Sequence, residues 1–461
     1  MPERTPADAA AALIEYICAG ARAPVPATTA AAAKVFIADS FGVALAGSRV
    51  SHLNALHDLT RGWGSGDAAR VWTTGHRVPA GAAAFLNSYQ IHNQEWDCLH
   101  ERAVVHPMAV VLATLVAWGE SRPVATPMTG RDLLTACAVA VDVAVGLGLC
   151  ARETLQFFRP AMCGALGATA GIASVRRYDA RQVRAAVGSC YSQLSGTMQA
   201  HVEGSPLLPL QIGFNARAAL DAIALTERGI LGPQAAIEGP YGFFALFERQ
   251  ADLAPLRALG ATSRLTELSH KPFPSGRATH GGVDGLLTLA AAHRFTADDV
   301  RAARVFAPPL VRQLVDRPTR PAMDAAYARL CLPYVAATAM LQGGVGVEDF
   351  DETALCNARR LELASRVRVM PNDSADRNAL VPQRVEVDLA DGRHVAIDLP
   401  AVLGAPQRPL SSHQHLAKFH RAADSATIPL PTAQRRALLA CIDDLEHLTD
   451  VRHLADLLIA N

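Results

Sequence analysis

Lysine is nearly missing from this 461-residue chain. It stands at Lys34, Lys271 and Lys418, and arginine supplies the rest of the 43 basic residues. These are matched by 43 Asp and Glu, so the formal net charge is zero. Without an excess of either sign there is no electrostatic case for nucleic acid or an acidic membrane surface as partner. A small anionic substrate is not excluded, because it needs only a local cationic pocket. Paired cysteines are missing too. The nine cysteines are an odd number, scattered, without a C-x-x-C, and most lie in apolar runs such as "LLTACAVAV" and "ALLACIDDL". That usage predicts reduced thiols serving as small core residues in a cytoplasmic protein, and it points away from a zinc or iron–sulfur centre.

Other absences narrow the field. "MPERTPADAAAALIEYICAG" has no basic region followed by an unbroken apolar run, so no signal peptide is expected. The most membrane-like segment, Leu133 to Cys150, carries Asp142 at its centre, and no second comparable span stands out. It reads as a buried helix of a large bundle. There is no G-x-S-x-G, P-loop, H-E-x-x-H or dinucleotide fingerprint after a strand. "LQGGVGVEDF" follows a helix-like run and reads as a helix cap rather than a phosphate cradle. No cofactor is implied.

What is present is helix. At 461 residues and 50% hydrophobic, the chain can bury a large core and divide into two to four domains, or one large domain with a smaller one attached. From residue 7 to about 265, Ala-rich apolar runs recur, each ending in Gly or Arg-rich sequence as helix C-termini do. No repeat of fixed period is evident. Near residue 300 the pattern changes to alternation, in "VRAARVFAPP", "SRVRVMPND" and "QRVEVDLADGRHVAIDLP", the last with Asp391-Gly392 as a two-residue hairpin signal. After Pro406 and Pro409 the helical pattern returns. The expected architecture is mostly α: a large all-helical domain, 1–267 and 403–461, discontinuous in sequence, with an inserted smaller α+β lid domain, 268–402.

Three stretches carry chemistry. "IHNQEWDCLHERAVVHP" gathers His92, Glu95, Asp97, His100, Glu101, Arg102 and His106 within 15 positions. Glu95 and Asp97 would diverge on a helix but could converge in a turn. His106-Pro107 precedes a long apolar helix, where an imidazole can sit at the N-terminus; a solvated loop is the plainer alternative. "QFFRPAMCGALGATAG" places Arg159-Pro160 at another helix start, where a guanidinium could fork onto a carboxylate or merely sit on the surface. "SHKPFPSGRATHGG" sets Lys271, Arg277, Thr279 and His280 among prolines and glycines at the entry to the inserted unit. An interdomain junction is a favoured place for a small-molecule site. Where nearly every cation is arginine, a lysine suggests a need for ammonium, although Lys34 and Lys418 occur without such neighbours; a surface ion pair is the alternative.

At these residues the chain resembles the MmgE/PrpD family. "GAAAFLNSYQIHNQEWDCLH", "VVHPMAVVLATLVAWGE", "GFNARAALDAIALTERGILGPQAAIEGPYGFFALFE", "HKPFPSGRATHGGVDGLLTL", "ARLCLPYVAATAMLQGGV" and "LGAPQRPLS…AKF" correspond, in order, to its segments over nearly the whole chain. The resemblance implies a helical domain, a smaller lid, a homodimer, and chemistry in the cleft without metal or cofactor, at a carbon next to a carboxylate. Its acidic pair falls on Glu95 and Asp97, its His-Pro histidine on His106, and its lid lysine on Lys271. Two positions depart: Arg159 stands where the family often has His, and Leu208 where it often has Lys. The expected site has Lys271, His106, Asp97 and His280 as proton-handling groups, with Glu95, His100, Arg159, Arg277 and Thr279 around a small carboxylate substrate. The expected reaction is dehydration of a citrate-like 2-hydroxy acid, with epimerisation of a dicarboxylate or catalytically silent carboxylate binding as alternatives. The Ala-rich helices add an expectation of dimerisation through the helical domain.

Overall fold

The computed structural model describes residues 8–50, 52–248 and 250–460. The first seven residues, weighed above as part of a leader, lie outside that range. Pro107 opens the central helix at its first position, where its missing N–H costs nothing. Every residue of this helix, Pro107–Glu120, is buried. Around it pack the helices Ala80–His92, Gly130–Leu149, Arg159–Val175 and Leu207–Glu227. A helix apolar all round belongs in the centre of a bundle, so much of the apolar composition is absorbed inside rather than displayed.

Small residues set the spacing. On the helix Arg159–Val175, a Cβ at Gly167 would lie 2.4 Å from the Ala140 carbonyl oxygen, and one at Gly171 would lie 2.5 Å from that of Ala136. Glycine there lets this helix run against Gly130–Leu149 backbone to backbone. Asp142, in the middle of Gly130–Leu149, accepts hydrogen bonds from the Tyr16 hydroxyl and the Arg264 N–H, each 2.6 Å. Burial pushes its carboxyl up to about 6, against these donors. A second helix, Ala27–Arg49, matches Gly130–Leu149 in length and apolarity, contrary to the sequence reading; both are mostly buried in the bundle.

The alternating segments form a four-stranded sheet in the order Val367–Pro371, Val300–Ala307, Gln383–Leu389, His394–Leu399. The first pair is parallel and the others antiparallel. Val385, Val387 and Leu389 alternate inward as period-two burial requires. The last two strands meet through residues 390–392, where Leu389 N–H donates to Arg393 O and Gly392 has φ +90°. The loop is thus one residue longer than the Asp-Gly signal suggested. The helices His280–His293 and Leu332–Gln342 pack on this sheet. Gly343, left-handed at φ +74°, caps the second.

The helices Ser412–Asp424 and Thr432–Asp443 then return to pack on Ala27–Ala46. Lys418 anchors that return. Its ammonium pairs with Asp39 at 2.6 Å and donates to the Trp96 carbonyl at 2.9 Å, with 1% of the side chain exposed. Lysine is therefore not spent on the surface at Lys418 either. Burial raises the Asp39 carboxyl above its ordinary value while Lys418 opposes the shift. Removing one member of a buried pair strands the other. Lys418→Ala should cost about 3–5 kcal/mol, read as a lowered midpoint in chemical denaturation followed by circular dichroism.

Candidate active site

The segment after the helix Ala80–His92 is a turn held in place residue by residue. Asn93 donates to the Gly47 carbonyl at 2.8 Å, and the Arg329 guanidinium donates to the Gln94 side-chain oxygen. Lys271 Nζ donates to the Glu95 carbonyl at 3.0 Å and Lys418 to that of Trp96. Leu99 and Ser269 exchange backbone hydrogen bonds at 3.1 and 2.7 Å, which joins this turn to the lysine-bearing stretch. Glu95 adopts φ +52°, a left-handed conformation uncommon outside glycine. That reversal brings Glu95 and Asp97 together, as no helix could.

Asp97 is fully buried and lies between two imidazoles. Its carboxylate meets His92 Nδ1 at 3.0 Å and His106 Nδ1 at 3.1 Å. His106 is poised there because Pro107 holds the preceding residue out of the helix, at φ −103° and ψ 76°. Lys271, with 0% exposed, pairs with Glu95 Oε2 at 2.9 Å and stands 3.9 Å from Asp97 Oδ1. It is a buried site cation, and the surface ion-pair alternative falls. Burial works against the Glu95 charge, but Lys271 and then His92 outweigh it and hold the carboxyl down to about 2. Asp97 is held well below its ordinary value: burial again opposes, and the two histidines prevail.

The two imidazoles are pushed apart. For His92, burial is the largest influence and acts downward, yet Asp97 and Glu95 together raise its pKa above the ordinary value. For His106, burial wins over Asp97, Lys271 adds to it, and the pKa falls. Near neutral pH, His92 therefore holds its proton more tightly than His106 does. Two like groups with opposed environments are how a site obtains an acid and a base from one residue type. His92, Asp97 and His106 also offer ligand atoms within 4.8 Å of one another, enough for a metal ion. The Lys271 ammonium already supplies positive charge beside them.

His92, Glu95 and His106 face a small cavity. Its other walls are mostly apolar and include Leu99, Val104, Phe158, Met198, Leu208, Leu314, Val315, Leu330 and Leu380. Arg277 also reaches the lining, but its guanidinium pairs with Glu101 at 2.8 Å and donates to the carbonyls of His270, Val402 and Leu403. Arg159 is buried, not on the surface, and forks onto the chain's own Glu248 at 2.8 Å. His100 turns to Glu267 at 3.0 Å. His280 meets Ser275 at 3.2 Å, and Thr279 donates to the Gly276 carbonyl at 2.8 Å. The structure thus brings Lys271, His106, Asp97 and Glu95 together, while Arg159, His100, His280 and Thr279 are engaged with the protein itself.

His92 was in the sequence cluster without a role, and His201 was missed. His201 lines the cavity from the short helix Gln199–Glu203 and accepts from Arg317 at its Nδ1, 3.3 Å away. Burial and then Arg317 lower its pKa to about 4. A histidine in "TMQAHVEG" beside no other titratable cluster gave no signal.

Two family models match the chain in succession. Residues 11–256 match the MmgE/PrpD N-terminal domain and 273–444 the MmgE/PrpD C-terminal domain. The chain is 27% identical over 440 residues to the cis-aconitate decarboxylase of Homo sapiens, covering 92% of this chain and 89% of that protein. It is 26% identical over 439 residues to the mouse enzyme of the same name, covering 92% and 88%.

Because Asp97 is what raises His92, Asp97→Asn should move the His92 titration to lower pH. Histidine-selective NMR titration checks this, and an unmoved His92 would show that its proton is held by something else.

Proposed function

Since the chain belongs to the MmgE/PrpD family, we propose that it is a lyase that dehydrates a small 2-hydroxy di- or tricarboxylic acid. The observation that carries this reading is the Asp97 carboxylate held between two imidazoles whose pKa values are displaced in opposite directions at one cavity. His106, with Nδ1 committed to Asp97, presents Nε2 as the base. It takes the proton from the carbon next to a carboxylate, and the electron pair of that C–H bond becomes the new C=C bond. The C–O bond to the neighbouring carbon breaks, and protonated His92 donates to the departing hydroxyl, which leaves as water. Negative charge that builds on the substrate carboxylate during proton removal is met by the Lys271 ammonium. A buried ammonium that costs no reorganisation is worth more there than in water.

A second reading has a specific observation behind it, because both relatives above are named cis-aconitate decarboxylases. In decarboxylation the C–C bond to the departing carbon dioxide breaks, its electron pair stays on the substrate skeleton, and an imidazolium supplies the proton that quenches it, so the same pair of histidines serves. Incubation of the purified chain with a panel of citrate-like and aconitate-like acids, read by mass spectrometry, separates the two. Loss of water supports dehydration, and loss of carbon dioxide supports the second reading. An unchanged panel refutes both.

On an acid that turns over, His106→Gln should lower kcat by about 10²–10⁴. Lys271→Arg should lower it by about 10–10³ although charge is kept, because the fork of a guanidinium does not fit a pocket shaped for ammonium. The pH profile of kcat/KM should be bell-shaped. Its acid limb, where His106 gains a proton as pH falls, lies below the ordinary imidazole value, and its alkaline limb, where His92 loses one, lies above it. Steady-state kinetics across pH checks both limbs.

A further inference from the structure

The cavity is poor in cations that are free to take a further carboxylate. Arg277 reaches its wall, but Nε and Nη2 are engaged by Glu101, Nη1 donates to two backbone carbonyls and Nη2 to a third. Its five N–H groups are thus accounted for. Lys271 is shared between the carboxylate and the carbonyl of Glu95. His201 accepts from Arg317 at Nδ1, so its proton sits on Nε2, and burial with Arg317 behind it keeps the ring neutral near pH 7. Thirteen of the eighteen lining residues are apolar or glycine, and among them Leu208, Leu314, Val315 and Leu380 carry aliphatic side chains. A carboxylate laid on that wall would lose its water without gaining a cationic partner, a larger penalty than an alkyl group would meet.

Resting on the lyase reading above, we infer that the substrate arm away from the reacting carbon is uncharged: an alkyl chain on the wall of Leu208, Leu314, Val315 and Leu380, within reach of a neutral His201 N–H donor for any carbonyl or hydroxyl it bears. The substrate class is then an alkyl-substituted dicarboxylic hydroxy acid rather than a tricarboxylate. Arg317 and Arg329 are the buried or half-buried cations near Glu95 that have no carboxylate within ion-pair distance among the described residues. Arg317 spends Nη2 on His201 and on the Leu314 carbonyl, and Arg329 donates to Gln94. Arg317 Nη1 and Arg329 Nε are buried without a hydrogen-bond partner among the described residues, but neither arginine is among the residues that line the cavity.

The test uses the full chain with 2-ethylmalate and 2-propylmalate against citrate, which differ in the arm concerned. Both kcat/KM by mass spectrometry and Kd by calorimetry are measured. One methylene in an apolar pocket discriminates by roughly 10–200-fold, so the alkylmalates should be favoured over citrate at least about tenfold. Leu208→Lys, which places an ammonium on the wall, should shift the preference toward citrate by about tenfold or more; Leu208→Met, similar in volume and uncharged, should not. Citrate preferred by the unaltered chain overturns the inference and leaves the lyase reading standing. Alkylmalate bound more tightly than citrate without turnover overturns the lyase reading and supports the inference. Absence of binding by all three acids overturns the inference.

Discussion

Burial of the Glu95–Asp97 turn is the constraint on which the rest depends. Two carboxylates and several backbone carbonyls are taken out of water there, at a cost of several kcal/mol for each unpaired charge. The fold offsets that cost with cations from widely separated parts of the chain: Lys271 at the start of the sheet-containing unit, Lys418 on a returning helix, and Arg329 before the helix Leu332–Gln342. The chain's scarce lysines are concentrated at this point. Two of the three are fully buried against it, while Lys34 pairs with Glu446 nearer the surface at 2.5 Å. An ammonium is a compact donor that can serve a carboxylate and a carbonyl at once, and both buried lysines do so.

That constraint also builds the chemistry. Once Asp97 is fixed as an anion, each neighbouring imidazole receives a different balance of burial and attraction. His92 sees two carboxylates, which outweigh burial and the Lys271 ammonium, and is favoured as the cation; His106 is raised by Asp97, but burial and Lys271 prevail. Lys271 lowers both imidazoles, and the added pull of Glu95 on His92 separates them, so the turn that buries the carboxylates also sets the reactivity. Arg277 and Glu101 then close the junction between the two units with a saturated set of hydrogen bonds. The cavity is left with one polar pole and an otherwise oily wall.

Much of the architecture was legible in the chain. Period 3.6 giving way to period 2 near residue 300 marks the sheet, and the Gly- and Ala-rich runs mark helices that touch through their backbones, as Gly167 and Gly171 do. Lys271 was legible because lysine is rare, and His106 because proline fixes the residue before it. The left-handed Glu95 was not legible, since its conformation is imposed by partners 176 and more residues away. Nor was the fate of the arginines. Local sequence shows that Arg159 and Arg277 can grip a carboxylate, but which carboxylate takes each is decided by tertiary placement, and the chain supplies its own Glu248 and Glu101. His201 and Arg317 lie 116 positions apart and meet only in the folded cavity.

The central claim is that His106, oriented by Asp97, exchanges a proton with the carbon next to a substrate carboxylate. Incorporation of solvent deuterium at that carbon, followed by mass spectrometry or proton NMR in deuterated buffer, tests it most directly. The account predicts enzyme-dependent incorporation into recovered acid or product that is lost in His106→Gln while the variant stays folded and still binds the acid. Hydration of the unsaturated acid in deuterated buffer without deuterium at that carbon, or incorporation undiminished in that variant, would contradict it.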